Sequence, residues 1–463
     1  MIDTRRLLEF DFTDKRVTVV GLGVEGVDMV RYLSRHHADV TISDSKTPER
    51  LAERLSDVER LGVNLSLGTN DEAALAAAEA LFVSQGVPLD LPQLKTARDR
   101  GVPFLSMVGL FLELCPGPIV GITGSSGKST TTALVNEMLK ADDRDIFVGG
   151  NIGVGLLDHL TDIRPYTWSV LEVSHTQLQL VERSPHVAAV LNITPNHLDR
   201  FRWDDYRALK ARILAFQEAD DIAVLGYDNA ETRALAAKVH GRLVWFSMTD
   251  AAPGDAVFVR DGIAISRWNG NEQPLFALGD VRLRGEHNRE NAVAAAAIAL
   301  ASGASPAAIA IGLRAFGGME HRLEFVAESG GVSYYNDSIA TTPERTLAGI
   351  RSFSEPVVLL MGGRDKELPL EELAAEAQKR CRAVVLFGEA AGKLEKALTA
   401  AGSLQTVRAE TLDEAVQAAS GLAQPGDVVL LSPACTSYDA YDNFEQRGNR
   451  FRELVSSIGE VQP

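Results

Sequence analysis

The chain has 463 residues, and at roughly 150 residues per domain that length suggests about three domains. Hydrophobic residues make up 45% and charged residues 24%, which excludes a disordered, collagenous or disulfide-framed chain. Lys and Arg total 46 against 63 Asp and Glu, and the net charge of -17 repels polyphosphate backbones, so nucleic acid is not an expected partner. Cys115, Cys381 and Cys435 are odd in number and far apart, as expected of buried free thiols in a reducing compartment rather than of structural zinc. The segment MIDTRRLLEFDFTDKR lacks a signal-peptide apolar core, and no stretch approaches the roughly 18 apolar residues of a membrane span. A cytoplasmic protein with no membrane span is expected.

In chain order, RVTVVGLG from Arg16, the helix-period stretch VDMVRYLSRH and the run DVTISD form a βαβ unit. ALFVSQGVP and PFLSMVG repeat the pattern of buried parallel strands, and a first domain closes near Ser106. A second unit starts at PIVGITGSSGKSTTTALVNEMLK, with strands expected at TWSVLEVS, HVAAVLNIT and DIAVLGYD. The short strands and turns from Arg242 to Arg284 suggest a side sheet on it. The Ala-rich stretch that follows reads as two helices broken at Gly303 to Pro306. A third unit opens with HRLEFVAESGGVSYYNDS, a strand pair around a GG turn, and EPVVLLMGG, RAVVLFGE and DVVLLSPA supply another parallel sheet. The expected architecture is three consecutive α/β domains at 1–106, 107–318 and 319–463: a Rossmann-like N-terminal domain, a central P-loop ATPase domain and a Rossmann-like C-terminal domain.

The sharpest local signal is Gly121-Ile-Thr-Gly124-Ser125-Ser126-Gly127-Lys128-Ser129-Thr130 between a strand and a helix. Its glycines let backbone N–H groups converge on oxygens, a helix N-terminus follows, Lys128 supplies a cation and Ser129 a hydroxyl for magnesium. The spacing is G-x-x-G-x-x-G-K-S, because Ile122 sits where the standard first glycine would be. A second motif, Gly21-x-Gly23-x-x-Gly26 with Asp44 about 20 residues on, matches a dinucleotide fingerprint. Its physical requirement is general, however, and any nucleotide diphosphate could dock there. Leu171-Glu172-Val173-Ser174-His175 and Asn192-Ile-Thr-Pro-Asn-His197-Leu-Asp199 stand at strand ends, where a carboxylate and an imidazole can bind a divalent ion bridging ATP and substrate. For His197 alone a core histidine is the equal alternative. Its place beyond a strand, in a chain with a phosphate loop, favours function.

These blocks, with GGNIG at Gly149 to Gly153, YRALKARI at Tyr206 to Ile213, GEHNRENA, MEHRLEFV, NDSIATTPE and LSPACTSYDAYDNFEQRGNRF, resemble the Mur ligases, which build the peptidoglycan stem peptide. The resemblance runs across nearly the whole chain. It implies that the first domain grips the uridine diphosphate of a sugar substrate through Gly21, Leu22, Gly23 and the Asp44-Ser45-Lys46 turn, with Ser84, Gly86 and Val87 alongside. That replaces the dinucleotide reading. It implies MgATP on Gly124 to Thr130, with magnesium, two ions, bound through Ser129, Glu172, His197 and a carbamylated Lys210. On a plain helix reading Lys210 would instead be a solvated surface lysine. Asn151 would contact substrate or ATP phosphates, Asn291 would lie near adenine, and Arg322 and Asp337 would reach the ATP phosphates and ribose as the third domain closes. A structural ion pair is the alternative for Arg322 and Asp337.

By the same resemblance, Thr341, Lys366, Ser437 and Phe444 hold an incoming glutamate, whose two carboxylates call for a lysine and hydroxyls. The family's N-D-S-K-A-T-N block reads Asn336-Asp337-Ser338-Ile339-Ala340-Thr341-Thr342 here, so an expected lysine is Ile339. His175 and Thr176 likewise depart from the usual Ser-Phe. The activity implied is ATP-dependent addition of D-glutamate to UDP-N-acetylmuramoyl-L-alanine through an acyl phosphate, by a monomer, with Lys128, His197 and Lys210 catalytic. L-glutamate is the alternative that Ile339 raises. An NAD-dependent oxidoreductase and a noncatalytic scaffold are the readings of other classes.

Overall fold

Buried apolar runs that end in glycine or a small polar residue become the parallel strands of three sheets. The structure, a computed structural model, describes residues 11–151, 155–196 and 201–460. The first sheet is wholly parallel and contains β1 (Arg16–Val20), β2 (Asp39–Asp44), β3 (Asn64–Leu67), β4 (Ala80–Val83) and β5 (Phe104–Leu105) in the order β3-β2-β1-β4-β5. The chain order reverses between β1 and β4, so a crevice opens at their carboxyl ends, where Rossmann-like sheets take ligands.

The second sheet has nine strands: β6 (Ile119–Thr123), β7 (Ile146–Gly150), β8 (Trp168–Glu172), β9 (Val187–Val190), β10 (Ile222–Gly226), β11 (Arg242–Ser247), β12 (Ala256–Arg260), β13 (Ile263–Trp268) and β14 (Asn271–Ala277). Their order is β14-β13-β12-β11-β10-β9-β6-β8-β7. The register pairs Ile122 with Glu172 on one side and Thr123 with Val190 on the other. Three loops, after β6, β8 and β9, therefore leave the sheet side by side. The segment expected to form a side sheet does not separate. Strand β12 adds parallel to β11, and β13 and β14 continue antiparallel as the edge of the same sheet. Short turns at Asp261-Gly262 and Asn269-Gly270, all at positive φ, make hairpins the only local solution there. The Ala-rich segment folds as two helices, Glu286–Ala301 and Pro306–Ala315.

The third sheet, β15 (Glu324–Ser329), β16 (Val332–Asn336), β17 (Val357–Gly362), β18 (Cys381–Phe387), β19 (Gln405–Arg408) and β20 (Val428–Ala434), runs β15-β16-β20-β17-β18-β19, with only the β15–β16 hairpin antiparallel. The fold is thus three α/β domains, as expected. By contacts the chain divides into two compact units: residues 1–281 with 287–315, holding the first two sheets, and residues 282–286 with 316–463, holding the third. Cys381 and Cys435 are buried free thiols whose pKa burial pushes up to about 12, and Cys115 is half-buried.

Within the first unit, two acids of the helix Val24–Arg35 reach across from the first sheet to the second. Asp28 accepts the N–H groups of Leu156, Leu157 and Asp158, each at 2.9 Å, and Glu25 accepts from Gln177 Nε2 at 2.7 Å and from Gln85 N at 2.9 Å. Burial raises the pKa of both carboxyls. The same helix packs on β1 through Gly26, where a Cβ would overlap the carbonyl oxygen of Gly21. Gly26→Ala should therefore destabilise the protein by about 1–3 kcal/mol, the usual cost of overpacking against a rigid neighbour. An unchanged denaturant midpoint would contradict that close approach.

Candidate active site

The phosphate-loop sequence folds as its composition requires. Gly127 caps the helix Lys128–Lys140 at φ +83°, and a Cβ there would overlap Asn291 Oδ1, so both the conformation and the space demand glycine. The loop is held by the strand end beside it: Ser125 N donates to Asn192 O at 2.9 Å, Ser126 N to Asn192 Oδ1 at 3.0 Å, and Ser125 Oγ meets both Thr194 O and Tyr206 Oη at 3.0 Å. Lys128 folds back onto Gly124 O at 3.1 Å, and Ser129 and Thr130 are half-buried in the first helical turn.

Lys210 is not the solvated lysine that an isolated helix would imply. It lies in the helix Trp203–Ala211, is 1% exposed, and donates to Gly124 O at 2.9 Å and to Thr123 Oγ1 at 3.1 Å. Its helix neighbours Leu209 and Ala211 line a cleft of about 1080 Å³, shared with the Gln85–Asp90 segment that carries Gly86. Burial, reinforced by the nearby charge of Lys128 and opposed by Glu172, brings its pKa down to about 7. Glu172 is held by Asn151, whose N donates to the Glu172 backbone carbonyl and whose Nδ2 donates to Glu172 Oε1, both at 2.8 Å. The other oxygen, Glu172 Oε2, is buried without a hydrogen-bond partner among the described residues. Asn151 thus orients the acid. His197 lies outside the described residues. Among those described, no group of three or more His, Cys, Asp or Glu side chains forms a ready metal cage.

At the first sheet, Gly21, Leu22 and Gly23 leave β1 at the crevice, and Ser84, leaving β4, donates its hydroxyl to Gly21 O at 2.6 Å. Asp44 is engaged from within: Oδ2 accepts Leu22 N and Oδ1 accepts Lys46 N, both at 2.8 Å. It therefore shapes the glycine turn itself. A Cβ on Gly23 would meet nothing within 4 Å, so the turn is open to an approaching group.

In the second unit, the ends of β16, β20 and β17 bring the expected acceptor residues onto neighbouring loops. Lys366 Nζ donates to Thr341 Oγ1 at 3.2 Å, Phe444 O accepts Ser338 Oγ at 2.8 Å, and Ser437 is buried. Arg322 is exposed, and no ion pair joins it to Asp337. Asp337 is 4% exposed, accepting Leu323 N at 3.2 Å and Ser432 Oγ at 2.7 Å, with burial raising its pKa to about 7. Sequence reasoning passed over Arg447, which is fully buried. Its guanidinium donates to Ser338 Oγ at 3.0 Å, Ser338 O at 2.9 Å, Cys435 O at 3.2 Å and Gly362 O at 3.4 Å, tying the three loops together. Burial lowers its pKa to about 10. An arginine one turn into the helix that follows the SPACTSYDAYDN block was the available signal. Asn192 and Tyr206, inside blocks already noted, were passed over for the same reason: their work is local bracing.

The Lys210 environment has a measurable sign. Its pKa is near 7 folded and near its ordinary 10.5 unfolded, so between those values the unfolded chain binds the extra proton and stability rises with pH. In carbon dioxide-free buffer, the wild type should gain stability from pH 7 to 10 relative to Lys210→Met. Parallel unfolding midpoints across that range would refute the buried amine.

Known families cover this chain in the order of its sheets. The N-terminal domain of MurD-like Mur ligases matches residues 15–106, the Mur ligase middle domain residues 122–299, and the glutamate ligase domain of Mur ligases residues 321–435. The chain is 42% identical to UDP-N-acetylmuramoylalanine--D-glutamate ligase of Symbiobacterium thermophilum, covering 96% of this chain and 98% of that one. It is 40% identical to the protein of the same name from Acidobacterium capsulatum, covering 95% and 96%. Among solved structures, UDP-N-acetylmuramate-alanine ligase MurC of Thermotoga maritima shares the fold at a TM-score of 0.56 and 19% identity, over 96% of this chain and 100% of that one. MurF of Acinetobacter baumannii does so at 0.56 and 19%, over 96% and 93%. On its sequence and on the order of its three domains, the chain belongs to the Mur ligase family.

Proposed function

We propose that this chain is an ATP-dependent ligase that adds D-glutamate to UDP-N-acetylmuramoyl-L-alanine through an acyl phosphate, in peptidoglycan precursor synthesis. The observation that carries the reading is the pair of lysines on one carbonyl of the phosphate loop, with Glu172 close enough to act on Lys210. Relatives at 40–42% identity bear the name of that reaction. A location in the cytoplasm follows from its substrates, since ATP and nucleotide-activated sugars are cytosolic compounds.

The chemistry follows from charge. The alanyl carboxylate is a poor electrophile, and both it and ATP are anions, so phosphoryl transfer needs cations held in place. Lys128 serves the β- and γ-phosphates, and the N–H groups of Gly127 to Thr130 cradle them, while Ser125 N and Ser126 N bind Asn192 and brace the loop. Mur ligases use magnesium, and the residues here fit a hard ion: Glu172 Oε2 is a buried, unsatisfied acceptor, and Ser129 offers a hydroxyl. The ion supplies neutralisation of phosphate charge; we place two, with His197 as a further ligand. Lys210 is read as a carbamate. A lysine whose pKa burial brings down to about 7 keeps a substantial share of free amine at neutral pH, able to add carbon dioxide with loss of a proton, and Lys128 favours the resulting anion. Gly21 to Gly23, Asp44, Ser84 and Gly86 hold the donor. Asn151 orients Glu172, Asn291 supports the loop at Gly127 on the nucleotide side, and Arg322 acts on the ATP phosphates. Thr341, Lys366, Ser437 and Phe444 hold glutamate, whose free amine attacks the acyl phosphate to leave the amide, ADP and orthophosphate. Domain limits at 106 and 318 accompany this division of labour.

Given ATP, magnesium and the donor, the protein should release orthophosphate with D-glutamate and at least about ten-fold less with L-glutamate; release with neither isomer would end the reading. Lys128→Ala should lower kcat by about a hundred-fold or more while circular dichroism is unchanged. Lys210→Ala should be inactive and partly rescued by a short carboxylic acid in the buffer. Full activity without the additive would remove the carbamate.

A further inference from the structure

A cation that the family's block places beside the acceptor residues is missing, because position 339 holds isoleucine. The structure puts another cation next to it. Residues 337–342 link β16 to the helix Pro343–Arg351, and their backbone is fixed from several sides. Ile339 N donates to His321 O at 3.1 Å, Thr341 N donates to Ile339 O at 2.8 Å, and Arg345 N donates to Thr342 O at 3.1 Å. Thr346, fully buried, donates its hydroxyl to Ser432 O at 3.1 Å and so holds the first helical turn on β20. That turn carries Arg345, whose Nη1 donates to Ile339 O at 3.2 Å. Its guanidinium therefore stands at the backbone of the very residue that lacks the charge.

Two features separate Arg345 from an ordinary surface arginine. It is exposed, and among the described residues its guanidinium bonds that carbonyl and pairs with no carboxylate. Asp337 feels its charge, yet that carboxylate is committed to Leu323 N and Ser432 Oγ. Arg345 also sits in the first turn of a helix, where the dipole disfavours a cation. Helix stability does not account for it. A guanidinium that spends part of one edge on a carbonyl keeps further donors for a planar anion. At the other end of the same turn, Lys366 Nζ donates to Thr341 Oγ1 at 3.2 Å. Residues 339–341 thus carry a cation at each end, and all of these residues belong to one compact unit.

We infer that Arg345 is a specificity-determining residue for the acceptor: its guanidinium binds a carboxylate of the incoming glutamate, in place of the lysine that position 339 lacks. This deepens the proposed ligase reading and rests on it. The neighbouring helix returns the charge, with a fork that matches the two oxygens of a carboxylate.

The test measures KM for D-glutamate, ATP and the UDP-sugar donor in the wild type, Arg345→Met, Arg345→Lys and the Ile339→Lys/Arg345→Met pair. Arg345→Met should raise KM for glutamate about ten-fold or more, the scale of one lost charge-assisted hydrogen bond, with the other two KM values within about two-fold of wild type. Arg345→Lys, which keeps the charge and loses the fork, should fall between Arg345→Met and wild type. The double variant should bring KM for glutamate back to within about five-fold of wild type, since its lysine returns the charge. An unchanged KM for glutamate in Arg345→Met, a rise confined to ATP, or equal rises for all three substrates would overturn the inference. So would a lowered unfolding midpoint in Arg345→Met together with no rescue by Ile339→Lys, the outcome expected of a mere brace on Ile339 O. Should the double variant not fold, guanidinium ion added to Arg345→Met is the second measurement: KM for glutamate should fall about three-fold or more, and no fall would overturn the inference. A wild type that releases no orthophosphate with glutamate removes the ligase reading and this inference with it. Normal release with an unchanged KM in Arg345→Met removes the inference alone.

Discussion

Two lysine side chains share one carbonyl. Lys128 and Lys210 both donate to Gly124 O, at 3.1 and 2.9 Å, in a site where burial leaves Lys210 only 1% exposed. Burial first, and the neighbouring Lys128 charge after it, disfavours an ammonium on Lys210 and lowers its pKa. Such an arrangement is tolerated only if something offsets it: Glu172 partly, an anionic ligand more fully. The phosphate loop is thus built for negative charge before any arrives, and the brackets around it keep that geometry from relaxing. Asn192 and Tyr206 pin Ser125 and Ser126, and Asn151 fixes Glu172.

The same logic of loops at carboxyl strand ends is repeated with different means in the other two sheets. In the first, Asp44 and Ser84 shape the turn at Gly21 to Gly23 through backbone contacts, leaving the turn open on the side of Gly23. In the third, one arginine does the work. Arg447 spends its guanidinium on carbonyls and a hydroxyl from three loops, with no carboxylate in an ion pair with it among the described residues. A planar five-donor group is suited to that junction, since it can satisfy several acceptors at fixed angles where lysine offers a single point charge. The positive charge, which burial disfavours and the nearby Asp439 supports, lies under the loops that carry Thr341, Lys366 and Ser437, a setting that favours a dicarboxylate acceptor even though Ile339 stands where a lysine was expected.

The fold class, the strand runs, the Ala-rich helix pair and the phosphate loop were legible in the sequence because each is written in local patterns: apolar runs, helical spacing, and glycines between a strand and a helix. The edge position of β12 to β14 was not, since whether a hairpin stands apart or extends a sheet depends on the free edge that β11 offers. Nor was the burial of Lys210. Five residues of YRALK look like any amphipathic helix until the helix is set against Gly124.

The sequence by itself offered Lys128 and Glu172 as candidates for chemistry through residue type and spacing, and Lys210 and the acceptor set only through blocks that resemble the Mur ligases. Only the tertiary structure decided what those side chains are. It placed Lys210 inside and so lowered its pKa, buried Asp337 against Leu323 N and Ser432 Oγ, and made Arg447 the junction of the acceptor loops. The physical reason is that burial, partner and field are properties of neighbours distant in sequence, such as the 86 residues between Lys210 and Gly124 or the 109 between Arg447 and Ser338.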